Sequence, residues 1–406
     1  MTAKGKPGSL LASATALLGA FGPGQLIGSN RSSEDSGYDD AFETRVESFE
    51  TEDGVTLKLK RYVSGGAQPV LLVHGFLANG SCFDLPHKGH NLAIYLAERG
   101  YDVWVASFRG CGQGPYRCRI DDWSHSLDHL AAFDAPALVD GIMGETGKRP
   151  VWIGHSMGGM VLYMYLQGPA IRPDRHGFRV VCDAERAAAR NRSVLGGVTI
   201  GSPPAFHFGG KDWMEALTRL PLFGTLTGWM IHYFRWAGSF FPRVGLPGMP
   251  ELADSFPRIA RMLAAKGPVA SSFYNIENVD PEVGYSFFKW AGDSVSSRMT
   301  TQILRFAQES DLKDYNGGHN YTENMDGITA PLFFISGSED FAGPENIRVY
   351  GYEKVASEIK QFKLYQDYGH TDLVLGKRVA EEVFPDILSW LRRLEQCAFG
   401  TGEPEA

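Results

Sequence analysis

Apolar residues fall in two rhythms along this chain: short unbroken runs, and longer stretches with helical spacing. Pro69–His74 (PVLLVH) is a continuous apolar run, as expected of a central strand buried on both faces. Tyr101–Ser107 (YDVWVAS), Val151–Ile153, Val194–Gly201 (VLGGVTIG), Pro331–Ser336 (PLFFIS) and Gln361–Tyr365 (QFKLY) read as further strands. Gly54–Tyr62 (GVTLKLKRY) alternates apolar and polar, the pattern of a half-exposed strand near a sheet edge. Helical spacing runs through Asn91–Arg99, through Leu127–Thr146 with a restart at Pro136, and through Arg378–Gln396. Strand alternating with helix in this way predicts a mostly parallel sheet covered by helices on both faces.

Residues 202–329 break the rhythm, because they separate two core strands by far more than an ordinary connection. This insertion is rich in aromatics, including Trp213, Trp229, Tyr233, Trp236, Tyr274, Phe287 and Phe288. It is expected to form a mainly helical cap over the carboxyl edge of the sheet, where open α/β sheets place their ligands. The chain then divides into a flexible N-terminal extension over 1–45, a core over 46–201, the cap, and a second core part over 330–397.

Within the extension, Lys4 and Lys6 precede Leu10–Phe21 (LLASATALLGAF), which has the charge and length of an export-signal core. It is only mildly apolar and lacks a clear cleavage site, so a surface-packed or flexible extension is the preferred reading. Gly22–Asp40 reads as a linker. The expected location is cytoplasmic or peripheral to a membrane, with export as the alternative.

Composition narrows the function classes. A net charge of −8, with no long basic run interleaved with aromatics, argues against nucleic-acid binding. The five cysteines form no CxxC pair, so neither a zinc site nor a redox motif is indicated. Cys111 and Cys118 flank a Gly/Pro-rich loop and would suit a bridge in an exported protein, but reduced thiols are the preferred reading. No HExxH motif or clustered ligand pattern calls for a metal, and no cofactor is expected.

The chemistry concentrates at Val151–Met160 (VWIGHSMGGM), where Gly154-His155-Ser156-Met157-Gly158 fits G-x-S-x-G between a strand and an apolar helix. A serine on that tight turn presents its hydroxyl, and the flanking glycines are expected to let the backbone turn. A hydroxyl needs a base to become a nucleophile, usually a histidine oriented by a carboxylate. Downstream, PLFFIS ends in Gly337-Ser338-Glu339-Asp340, and Tyr368-Gly369-His370-Thr371-Asp372 precedes the last helix. Ser156, Asp340 and His370 thus follow the chain order this fold type requires, with Asp340 preferred over Glu339 because it lies further into the loop. Backbone amides of Met157 and Phe76 are the candidates for stabilising an oxyanion. His74 and His155 are read as structural, Asp367 as ending a strand and Asp372 as capping the last helix.

Together these segments resemble the α/β-hydrolases, and within them the acid lipase group of gastric and lysosomal lipases. The resemblance rests on His74-Gly75-Phe76-Leu77, Gly100-Tyr101-Asp102-Val103-Trp104, Arg109-Gly110, the Ser156 elbow, Phe133-Asp134-Ala135-Pro136-Ala137, Gly337–Asp340 and His370-Thr371-Asp372-Leu373. It covers about residues 50–200 and 330–395, and implies an α/β-hydrolase fold and ester chemistry. The loop CGQGPYRCR after Arg109-Gly110 departs from the group's pattern, and the cap does not match residue by residue.

The expected function is a serine carboxylic ester hydrolase, a lipase or esterase, acting on hydrophobic acyl esters through an acyl-enzyme on Ser156. An acyltransferase passing the same acyl group to an alcohol or thiol is the alternative, and a non-catalytic binding protein a third reading. Arg219–Phe241 is strongly apolar but carries Arg219, His232 and Arg235, which argues against a membrane span. It is either packing or a lid that touches lipid or a membrane surface.

Overall fold

A computed structural model describes residues 42–175, 177–207, 243–245, 257–266 and 274–399. The readings of 1–41 as extension and linker, and of 219–241 as packing or lid, lie outside the described residues. Twelve strands are present among those described: β1 (Thr44–Glu50), β2 (Thr56–Tyr62), β3 (Pro69–Val73), β4 (Asp102–Ala106), β5 (Val151–His155), β6 (Pro169–Asp174), β7 (Gly177–Cys182), β8 (Gly196–Ile200), β9 (Arg243–Gly245), β10 (Ser294–Ser296), β11 (Leu332–Gly337) and β12 (Lys360–Tyr365).

Eight of them form one sheet in the order β1-β2-β4-β3-β5-β8-β11-β12. β1 and β2 are antiparallel to each other, and β2 is antiparallel to β4; every pairing from β4 to β12 is parallel. The apolar runs read as they do because both faces are buried. In β3, Val70 and Leu72 pack into the core on one face while Leu71 and Val73 pack into the core on the other. Helices Leu92–Ala97 and Phe384–Phe399 contribute to the first layer; Ala135–Thr146 and Met157–Leu166 to the second. β2 is covered at the edge by β1, a strand whose weak burial pattern left it unread in the sequence.

One expected break and two further departures have local causes. The stretch Leu127–Thr146 is interrupted by a wider turn at Leu130–Asp134 and resumes as an α-helix with Pro136 in its first turn, where proline has no amide to lose. The final helical stretch is broken at Val383, just before Pro385. β6 and β7 form an antiparallel hairpin apart from the main sheet, and their polar residues hid them.

Parallel register fixes the site. β5 and β8 pair as His155↔Ile200, β8 and β11 as Ile200↔Ile335, and β11 and β12 as Gly337↔Tyr365. The loops that follow these strands therefore leave from one edge. Moreover β3 connects onward to β4 on one side, while β5 connects to β8 on the other, so the β3 and β5 loops border the crevice where strand order reverses.

Candidate active site

Ser156 sits between β5 and the helix Met157–Leu166 with φ 52° and ψ −117°, a conformation that non-glycine residues avoid. Holding it costs roughly 1–3 kcal/mol, which the surroundings must offset. Its amide donates to the Ile200 carbonyl at 2.8 Å, and its carbonyl accepts from the Gly159 and Met160 amides at 3.1 Å each. The motif glycines act differently from the sequence expectation. Neither Gly154 nor Gly158 has a positive φ; the serine itself takes the strained turn. The glycines supply room instead. A Cβ on Gly154 would stand 2.5 Å from the Gly158 carbonyl carbon, and one on Gly158 would collide with the Val73 carbonyl oxygen of β3.

Asp340 and His370 are both buried, and Asp340 Oδ1 lies 2.9 Å from His370 Nδ1. The same oxygen accepts the Ala342 amide at 2.8 Å, which fixes the carboxylate. With Nδ1–H donating to Asp340, the neutral imidazole keeps Nε2 as its basic nitrogen. Glu339, the discarded alternative, is exposed. His155 links the Ser156 turn to the histidine loop: its Nε2 donates to the His370 carbonyl at 3.2 Å, with ring centroids 4.8 Å apart. Burial, together with the neighbouring His370, holds His155 well below the ordinary imidazole range, so it stays neutral.

Gly201, at the end of β8, was passed over in the sequence although it closes VLGGVTIG. Its φ is +59°, and an added Cβ would lie 2.8 Å from Asp340 Oδ2 and 3.1 Å from His370 Nδ1. It is the floor beneath that pair.

On the β3 side, Phe76 is partly exposed and Leu77 adopts φ 57°. Gly75 packs against the serine turn; a Cβ there would meet Ser156 Cβ at 3.0 Å. Met157 is the first residue of its helix, where amides have no intrahelical acceptor. His74 is structural: Nδ1 donates to the Gly75 carbonyl at 2.8 Å, and Nε2 accepts the Phe108 amide at 3.1 Å. Burial pushes its imidazole down to about 4.

Two aspartates near His370 take roles other than those expected. Asp367 lies in the turn after β12 with φ 65°, past the strand's end. Asp372 does not cap the last helix, which begins at Phe384. It starts the short helix Asp372–Leu375, and its Oδ2 accepts Gly369 N at 2.8 Å and Asn278 Nδ2 at 2.9 Å, bracing the histidine loop. Arg109 is a structural hub, with Nε 2.7 Å from Asp134 Oδ1 and Nη1 2.6 Å from Asp53 Oδ2. Cys111 and Cys118 are buried free thiols.

The described part of the insertion meets the β3 loop. Ala78 bridges to Gly292, Asn79 N donates to Ala291 O at 2.9 Å, and Asp293 N donates to Leu77 O at 2.9 Å. The unusual CGQGP loop joins the same strap, since Gly112 N donates to Asp293 Oδ2 at 2.9 Å. Tyr274, Tyr285, Phe287 and Phe288 are buried, as packing aromatics are.

The model of the Alpha/beta hydrolase family matches residues 70–330. The chain is 32% identical over 384 residues to triacylglycerol lipase 2 of Arabidopsis thaliana, spanning 84% of this chain and 83% of that protein. It is 34% identical over 123 residues to human lysosomal acid lipase/cholesteryl ester hydrolase, a stretch covering 27% of this chain and 31% of that one. An esterase from Exiguobacterium antarcticum superposes with a TM-score of 0.51 at 15% identity, covering 86% of this chain and 100% of that chain, a likeness of fold.

Proposed function

The chain belongs to the alpha/beta hydrolase family, and we propose that it is a serine carboxylic ester hydrolase cleaving hydrophobic acyl esters through an acyl-enzyme on Ser156. The observation that carries the reading is the buried Asp340–His370 pair, tied through His155 to the strained turn that holds Ser156.

In this mechanism Ser156 Oγ attacks the ester carbonyl while His370 Nε2 takes its proton. Asp340, bonded to Nδ1, holds the tautomer and stabilises the imidazolium. The amides of Phe76 and Met157 receive the oxyanion, on opposite sides of the crevice between β3 and β5. Collapse breaks the carbon–oxygen bond to the alcohol, which leaves with the proton from His370. Water then repeats the sequence on the acyl-enzyme and releases the acid.

The hydrophobic substrate is supported by the similarity to a protein named triacylglycerol lipase, which extends over most of both chains. The aromatic insertion serves as the cap, and its strap over Leu77–Asn79 supports that role. Lipid contact through the cap belongs to the same reading.

Ser156→Ala tests it. Turnover of p-nitrophenyl esters is expected to fall on the order of 10⁴-fold or more, and near wild-type turnover contradicts the mechanism. In an acyl-length series, a preference for two-carbon over eight-carbon acyl groups contradicts the hydrophobic substrate.

A further inference from the structure

Phe341 directly follows Asp340, yet its side chain faces outward: it is 48% exposed, whereas the large apolar residues around it are mostly buried. Its ring centroid lies 4.4 Å from that of the His370 imidazole, inclined at 45°. On its other side stands Phe206, 6.5 Å away on the loop after β8, itself edge-on to Phe306 at 5.8 Å. The backbone leaves Phe341 little freedom. Asp340 N donates to Gly337 O, Gly343 N donates to Asp340 O at 3.1 Å, and Ala342 N is held by the Asp340 carboxylate. A fixed, half-exposed aromatic thus borders the imidazole, with a second aromatic extending the same wall.

We infer that Phe341, backed by Phe206, is a specificity-determining residue that receives the alcohol part of the ester and favours apolar or aromatic alcohols. The inference rests on the ester-hydrolase reading and deepens it. The imidazole that accepts the serine proton must hand it to the departing alkoxide, so the alcohol oxygen lies at His370 while the bond breaks. A side chain in contact with that imidazole is within reach of the carbons attached to the alcohol oxygen. The acyl carbon is bound to Ser156 instead, and its chain extends from there. Contact of an apolar alcohol with the two rings removes water from both partners, which is favourable in proportion to the area covered. The acyl-enzyme formed is the same for every alcohol, so this selection operates on acylation and is read in kcat/KM.

The test compares wild type with Phe341→Ala and Phe341→Leu on two sets of esters. One set joins butyrate to methanol, hexanol or benzyl alcohol; the other joins methanol to acyl groups of increasing length. Phe341→Ala is expected to lower the hexyl-to-methyl and benzyl-to-methyl ratios of kcat/KM by about tenfold, the size of discrimination one apolar contact supplies. Phe341→Leu is expected to retain much of the hexyl preference and lose most of the benzyl preference, and ratios within the acyl set are expected to stay at their wild-type values. Unchanged alcohol ratios overturn the inference, as does a change confined to the acyl set. A uniform loss on every ester also overturns it, because that outcome marks Phe341 as a mere support for Asp340. Wild-type inactivity on both sets removes the ester reading and this inference with it; wild-type turnover with unaltered ratios removes this inference alone.

Discussion

His370 Nδ1 and Asp340 Oδ1 stand 2.9 Å apart in a buried setting, although thirty positions of chain separate the two residues. The contact depends on β11 and β12 being parallel neighbours in register, so that the loops after them leave side by side. It also sets which imidazole nitrogen is basic. Asp340→Asn keeps the shape but offers an amide in place of a pure acceptor, and the imidazole is free to take the wrong tautomer. The expected loss in kcat is about 10⁴-fold. Steady-state kinetics on a p-nitrophenyl ester checks this, and a loss below about tenfold contradicts the assigned role.

The glycine at position 158 is there for space. Its helix runs so close to β3 that an added methyl group collides with the Val73 carbonyl oxygen, which cannot yield without disturbing the central strand. Gly158→Ala is expected to destabilise the fold by about 1–3 kcal/mol, despite alanine's better helix propensity. A denaturant midpoint equal to or above that of wild type contradicts the account.

Asp293 ties the strap to the loop after β3, which carries Phe76. Its amide holds the Leu77 carbonyl, and its carboxylate accepts from Asn79 Nδ2 at 3.2 Å and from Gly112 N at 2.9 Å. Asp293→Ala takes the acceptor from Gly112 N, leaves Asn79 Nδ2 with the Trp290 carbonyl alone, and is expected to loosen the segment that carries Phe76. In the proposed mechanism the Phe76 amide acts in the transition state, so kcat is expected to fall by about tenfold or more with a smaller change in KM. A rise in KM at constant kcat points to substrate binding instead and contradicts the positioning role.

Burial raises the Asp372 carboxyl to about 6, with its donors Asn278 and Gly369 acting in the opposite direction. The folded chain therefore keeps this proton at a pH where the unfolded chain has lost it. The resulting stabilisation is complete below the ordinary carboxylate range and is lost as pH rises through about 6. Asp372→Asn removes the titration while keeping an acceptor for Gly369. The stability of wild type relative to this variant is expected to decline between about pH 4 and pH 6, by at most about 1.4 kcal/mol per pH unit, and to level off above. A difference independent of pH contradicts the reading.

The central parallel strands were legible because burial on both faces favours unbroken apolar runs, as in Val70–Val73 and Val151–Ile153. The candidate site was legible because Ser156, Asp340 and His370 each follow a strand of the main sheet. β1 was not, because its Thr44–Glu50 segment is half polar and gains its identity only by pairing with β2. Gly201 and Asp372 escaped for a related reason. Their roles depend on what stands across the fold from them, Asp340 and His370 in one case and Asn278 in the other. The motif glycines were identified but misread, since crowding between the Ser156 helix and β3 has no trace in the local sequence. Phe341 showed no period or motif; only its exposure beside His370 distinguishes it.

The central claim is that Ser156 is the activated nucleophile, and covalent labelling by a fluorophosphonate tests it most directly. The account predicts one adduct per chain, located by mass spectrometry on Ser156, absent in Ser156→Ala and formed far more slowly in His370→Ala. An unlabelled wild-type protein, or an adduct on any other residue, contradicts it.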